Sequence, residues 1–192
     1  YRDQQDEYVV RTFDFVSDIN VMLKNLSDQS SGGGGDYPEA THEALKSSNQ
    51  LNWNGNESRK LLFLLSDAPP HEQHYGSFIN EIENLKRRNV GIFSLVASGT
   101  NKVTEKLYRY AAQQTGGRYI FVTNDSGIGG DHIEPSIPCY QVQKLNQLIV
   151  RLIQGELGGA YIPASKDDLV REQGEIVDGQ CWENDKIVGR IY

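Results

Sequence analysis

Residues Lys60 to Ser66 read KLLFLLS and run directly into Asp67-Ala68-Pro69-Pro70. An unbroken apolar block inside a seven-residue run, with no polar alternation, is the pattern of a strand covered on both faces. Such a strand belongs in the centre of a parallel sheet. Two successive prolines cannot continue a hydrogen-bonded ladder, so the strand ends at Asp67 and leaves that carboxylate where the chain turns. Val90 to Val96 (VGIFSLV) repeats the apolar pattern, and between the two strands Phe78, Ile79, Ile82 and Leu85 fall at helical spacing.

The same alternation extends in both directions. Downstream, Val103, Leu107 and Ala111 mark a helix stopped by Gly116-Gly117, and Tyr119 to Val122 form a short strand. Val142, Leu145, Leu148, Ile149, Leu152 and Ile153 then predict a long final helix. Upstream, Glu7 to Phe15 (EYVVRTFDF) suits a strand exposed on one face, and Ser17 is placed to cap a short helix, SDINVMLKNL. A second helix is expected from Ala40 to about Leu51, opened by Asp36 and Glu39 in the D-x-x-E spacing of a capping box. Strand and helix in alternation predict an α/β fold, doubly wound, with a mostly parallel sheet and helices on both faces. Past Gly158-Gly159 the pattern breaks, and Asp178-Gly179 between EIV and QCW reads as a hairpin turn. Residues 1 to 157 are therefore expected to form the domain, and 158 to 192 an appendage or the start of another module.

Composition narrows the function. A chain of 192 residues with 38% hydrophobic and 23% charged residues can bury a core, and no apolar run approaches the roughly 20 residues of a membrane span. The net charge of −7 argues against nucleic-acid binding, and the one basic cluster, Lys86-Arg87-Arg88, suits a helix C-terminus. Cys139 and Cys181 lack paired spacing and could bridge each other or stay reduced. The chain opens on YRDQQDEY with no signal-like stretch, so its compartment is not legible there.

In open parallel sheets ligands bind beyond the carboxyl ends of the strands, which makes Asp67 the first candidate functional residue. The alternative is a carboxylate that only caps the following loop. Glu39 poses the same choice. The four glycines before it, Gly32 to Gly35, each cost about 0.5–1 kcal/mol of extra chain entropy on ordering, which suits either disorder or backbone close to a bound group. His71 and His74 (HEQH) are spaced so that a helix could bring them to one metal, but Pro69 and Pro70 oppose helical placement of His71. Zinc-dependent hydrolysis therefore ranks below a surface role for both. His42 and His132 have no partner in sequence and are expected at the surface or in hydrogen bonds. Neither a phosphate-binding glycine loop with Lys-Ser/Thr nor a G-x-S-x-G elbow occurs.

Two stretches carry a resemblance. GGGGDYPEATHEAL (32 to 45) and LLFLLSDAPPH (61 to 71) are similar to the second and third metal-site segments of von Willebrand factor A-type domains, nearest to bacterial members and to the I-like domain of integrin β subunits. YRDQQDEYVVRTFDF resembles the edge strand upstream of them, and GIGGDHIEPSIPCYQVQKL the approach to the last helix, so the likeness covers about residues 1 to 157. The resemblance implies a Rossmann-like fold and no enzymatic activity. It also implies a site for Mg²⁺, Ca²⁺ or Mn²⁺ in which Asp67 and Glu39 are direct or water-mediated ligands, with Asp36 and the Pro38 carbonyl beside a neighbouring ion. In that family a partner, a protein or matrix ligand, completes the ion with its own carboxylate. An extracellular, cell-surface or periplasmic setting is expected with it.

One element of the family pattern is missing. Its first segment, D-x-S-x-S at the end of the central strand, occurs nowhere; SDQSS (27 to 31) and NDSG (124 to 127) have the wrong spacing. The expectation is a domain incomplete at its N-terminus, whose central strand is supplied by a further part of the same protein. A structural module with a degenerate, non-binding site is the alternative, and a metal-dependent hydrolase a more distant one.

Overall fold

The chain enters through an irregular segment, and the strand expected over Glu7 to Phe15 is not formed. No neighbouring strand among the described residues offers that segment a ladder, and its side chains are held otherwise. Tyr8 lies under the guanidinium groups of Arg2 and Arg11, 4.4 and 3.8 Å from its ring centre. Asp14 accepts the backbone N–H of Asn52 at 3.0 Å, and Phe15 meets Trp53 edge-on at 4.9 Å. The structure, a computed structural model, describes residues 1–191 apart from 31, 33–36, 56, 98–99, 127–131, 133 and 136. Two compact units divide the chain, residues 1–120 and 121–192.

In the first unit, helix α1 (Ile19–Ser27) is capped by Asp18, whose carboxylate accepts the Asn20 N–H at 2.9 Å, and not by Ser17. It buries none of its residues. Helix α2 (Thr41–Asn49) starts later than the capping-box spacing predicts. Ala40 stands at its N-cap without a side-chain hydrogen bond. Glu39 cannot act as the third residue of a helix because its N–H is donated to Pro69 O at 2.9 Å, in an isolated parallel bridge with Pro70.

Strand β1 (Lys60–Ser66) has the predicted bounds, and so does β2 (Val90–Val96), which pairs with it in parallel from Lys60↔Val90 to Ser66↔Val96. Helices α3 (Tyr75–Arg87) and α4 (Lys102–Thr115) and strand β3 (Tyr119–Phe121) complete this part. The sheet order is β1-β2-β3, so β2 and not β1 is the central strand. The burial follows: β2 is covered along nearly its whole length, whereas Leu65 on β1 is 60% exposed. The apolar run of β1 predicted cover on both faces and a central place in the sheet; Leu64 and Ser66 are buried on one face, Leu65 is exposed on the other, and among the described residues β1 has a strand on one edge only.

The core face of the sheet presents Leu62, Leu64, Val90, Ile92 and Val96 to Leu45 of α2, to Phe78, Ile82 and Leu85 of α3, and to Tyr108 and Ala111 of α4. Phe78, Ile82 and Leu85 recur at i, i+4 and i+7 and are fully buried, each contributing about 1.5–3 kcal/mol by leaving water. Helix α4 ends on Gly116 in the left-handed conformation (φ 72°). At Gly117 the backbone passes so close to β2 that an added Cβ would lie 1.9 Å from Ile92 O.

The second unit holds strand β4 (Tyr140–Gln143), helix α5 (Leu145–Gly158) and strands β5 (Leu169–Gln173), β6 (Glu175–Val177), β7 (Gln180–Glu183) and β8 (Lys186–Arg190). Val142 belongs to β4 and not to the final helix, because it pairs with Arg171 of β5. β4 and β5 form an antiparallel pair, and β6-β7-β8 form an antiparallel sheet. The Asp178-Gly179 hairpin turn forms as expected, with φ of 50° and 71°, the two positive values a type I′ turn requires. Cys139 and Cys181 are bridged, resolving the choice the sequence leaves open, and both are buried against Ile176 and Ile191. Arg171 ties β5 to Asp125 at 2.8 Å and to Glu134 at 2.9 Å.

The chain is therefore mixed α/β, with a three-stranded parallel sheet and two small antiparallel sheets. Among the described residues it falls short of the doubly wound sheet that the strand–helix alternation predicts.

Candidate functional site

Three chain segments converge at the carboxyl ends of β1 and β2: residues 37–41, 66–70 and 100–104. Ser66 closes β1 with its hydroxyl donated to Ala68 O at 3.0 Å, a local turn that leaves Asp67 exposed and Ala68 to Pro70 buried. Glu39 is half-buried. Its N–H reaches Pro69 O at 2.9 Å, and its own carbonyl accepts the Thr41 N–H at 2.9 Å. Glu39 and the post-β1 loop thus share one isolated rung of parallel sheet.

Tyr37 makes a second connection. Its hydroxyl donates to Asp67 O at 3.2 Å and accepts the Asn101 N–H at 3.0 Å, linking the segment before α2, the end of β1 and the start of α4. Asn101 in turn caps α4, its side-chain oxygen accepting from the Val103 and Thr104 N–H groups at 3.0 and 2.9 Å. Thr100 donates to Ala97 O at 2.6 Å.

A buried layer of hydroxyls supports these loops from below. Tyr108 has no exposed surface, and its hydroxyl lies 3.1 Å from both Ala68 O and Thr41 Oγ1. Burial holds this phenol well above its ordinary pKa, so it remains a neutral donor at every physiological pH. Tyr1 is 37% exposed as a residue, yet its hydroxyl reaches in to Leu65 O at 2.9 Å, and burial raises its pKa too.

The segments carrying Asp67, Glu39 and Pro38 are thus brought together by backbone pairing, and Asp36 lies outside the described residues. Sequence reasoning did not single out Tyr37, Thr41, Asn101 or Tyr108. Asn101 was findable, since Asn two residues before Val103 and three before Thr104 is an N-cap signal; Tyr37 and Tyr108 left no local signal because their partners are distant in sequence.

The histidines form a cluster of a different kind from a metal site. His71 is extended (φ −56°, ψ 142°) at the N-cap of a short 3-10 turn, Glu72–His74, that leads into α3. His71 Nε2 lies 2.9 Å from Asp3 Oδ1, and His74 stacks on His42 with ring centres 4.0 Å apart. His42, expected at the surface or in a hydrogen bond, is 2% exposed with neither ring nitrogen hydrogen-bonded. Among the described residues no three His, Cys, Asp or Glu side chains are grouped so as to hold a metal ion. His132 donates its backbone N–H to Asn124 Oδ1 at 2.8 Å. Comparison with known protein families, curated proteins and solved structures returns no match for this chain.

Proposed function

We propose that this chain is a von Willebrand factor A-type module that binds a protein or matrix partner through a divalent cation at the carboxyl end of β1. The observation that carries the reading is the rung between Glu39 and Pro69-Pro70, which brings Glu39 against the residues that follow Asp67. The donors suit a hard cation in kind, because the carboxylates of Asp67 and Glu39 and the carbonyl of Pro38 are all oxygen. In number they fall short of the six or more oxygens that Mg²⁺ or Ca²⁺ takes. Asp36, water and a D-x-S-x-S segment would supply the rest. A bound Mg²⁺ would offer an open position to the carboxylate of an acidic partner residue. Asp67 and Glu39 would hold the ion, directly or through water, while Tyr37 and the Glu39–Pro69 hydrogen bond keep their backbones in place.

The fuller, doubly wound sheet of that family belongs to the same proposal. The outer edge of β1, which has no strand beside it among the described residues, is where a further strand of the same protein would pair. The disulfide favours an oxidising compartment such as the cell exterior or the periplasm. A second reading, a module of this fold whose site binds no ion, is favoured by the lack of a three-residue ligand group among the described residues.

Calorimetric titration with Mg²⁺ and Mn²⁺ tests the assignment on the protein and on Asp67→Ala. Loss of a carboxylate ligand should weaken binding by roughly 10-fold or more. Equal binding by both proteins would refute it, and absence of binding by the unaltered protein would favour the second reading.

A further inference from the structure

His42 is a deeply buried imidazole of the chain's first unit, and two other histidines lie close to it. It sits in the first turn of α2, 2% exposed, with Nδ1 and Nε2 both lacking a hydrogen-bond partner. Across from it His74 stacks at 4.0 Å with the ring planes 15° apart, and His71 meets His74 edge-on at 6.4 Å. These rings join two segments: His42 follows Glu39 by three residues, and His71 and His74 follow Asp67 on the loop that Glu39 bridges.

We propose that the stacked His42–His74 pair is an acid-triggered release, in which protonation separates the start of α2 from the turn after β1 and opens the rung between Glu39 and Pro69. Face-to-face stacking is tolerable between neutral imidazoles and repulsive between imidazolium ions. A proton arriving on His42 would find poor compensation. On α2 the nearest carboxylate, Glu43, lies 3.7 Å from Nε2, beyond hydrogen-bonding distance, and is already engaged by Lys46 Nζ at 3.2 Å. From the turn, His71 and His74 add repulsion. In the N-terminal segment Asp3 is paired with His71, and Gln4 faces His74 Nε2 at 3.2 Å. The acid on α3 that reaches α2, Glu81, is bonded to Asn49 at the helix's far end.

Burial, then the neighbouring His74, lowers the His42 pKa below its ordinary value. The sign follows. The unfolded ring titrates near pH 6.5, so the folded state's advantage is complete above that pH and is lost as the pH falls toward the depressed folded value. Opening must break the Glu39–Pro69 hydrogen bond and strain the Tyr108 hydroxyl's contacts to Thr41 and Ala68, modest net contributions whose sum repulsion between the stacked imidazolium rings can match. For the site proposed above, mild acid would pull Glu39 away from the Asp67 loop and discharge the ion. That consequence rests on the cation-site reading, whereas the opening itself does not.

The test is amide hydrogen exchange at Glu39, followed by NMR at pH 7.5 and 5.5 with EDTA present, in the unaltered protein and in His42→Phe. Phenylalanine keeps the stack and cannot take a proton. With intrinsic exchange corrected, protection of the Glu39 amide should fall roughly 10-fold or more in acid for the unaltered protein, and at most 2–3-fold for the variant. Protection that is insensitive to pH, or that falls equally in both proteins, overturns the proposal. Should His42→Phe fail to fold, His74→Gln removes the opposing charge instead, and it should shrink the fall; an unchanged fall again overturns it. Because EDTA removes any divalent ion, neither result depends on whether the site binds one.

Discussion

Replacing both Cys139 and Cys181 by alanine should disorder much of the second unit while leaving the first unit folded. The bridge closes a loop with a sequence separation of 42 residues. On the chain-entropy account a loop of that length restricts the unfolded ensemble by about 4 kcal/mol. A unit spanning 121–192 should have a total stability on the order of 4–11 kcal/mol at the usual stability per residue, so the bridge is worth a large part of it. Among the described residues the buried apolar group around the bridge is small, consisting of the two cysteines, Ile191 and the partly covered Ile176, with Val142 and Leu152 buried elsewhere in the unit. Substitution is preferable to reduction, since both sulfurs are buried and a reductant would act only through prior opening. Hydrogen exchange read segment by segment is the assay, as it separates 140–191 from β1 and β2. The expected result is loss of protection in β4 to β8 with protection retained in β2 and α3. Unchanged protection across β6, β7 and β8 would refute the reasoning, as it would show that strand pairing alone holds this unit.

Two further predictions concern the first unit. Gly117→Ala places a methyl group 1.9 Å from Ile92 O, so either β2 or the turn after α4 must move; the expected cost is about 2–4 kcal/mol in urea denaturation, against less than 1 kcal/mol at a site where alanine fits. Tyr37→Phe removes one donor to Asp67 O and one acceptor for the Asn101 N–H, which should cost about 1 kcal/mol and speed exchange of the Asn101 amide. An Asn101 amide that exchanges no faster would show that Tyr37 does not clamp these loops.

How much of this was legible beforehand follows from the range of each interaction. β1, β2 and α3 to α4 are written in local patterns of five to fourteen residues, and the expected elements appear with nearly the expected bounds. The Asp178-Gly179 hairpin was legible for the same reason, since its turn chemistry lies in two adjacent residues. The failures come where distant partners decide. Glu7 to Phe15 has the composition of a strand and no described strand beside it, so cation–π contacts and the Asp14–Asn52 hydrogen bonds shape it instead. The D-x-x-E spacing promised a capping box, but a long-range bond from Glu39 to Pro69 outcompetes the local one and delays the helix to Thr41. For the candidate site, Asp67 could be placed from its strand alone. The histidine stack could not, because its members lie on either side of β1 in sequence.

The apolar run of β1, which lies at the edge of its sheet among the described residues, also bears on how the protein behaves in solution. LLFLL has high β-propensity, carries no charge and contains no proline, the composition of segments that nucleate cross-β aggregates when an edge is open. Lys60 and Asp67 bracket it as gatekeepers, and Pro69 and Pro70 forbid the ladder to lengthen past its end. Asp67 therefore guards solubility as well as standing at the proposed site. Removing its charge strips one of the two gatekeepers, so an Asp67 variant should precipitate at lower concentration than the parent protein, whatever it does to ion binding.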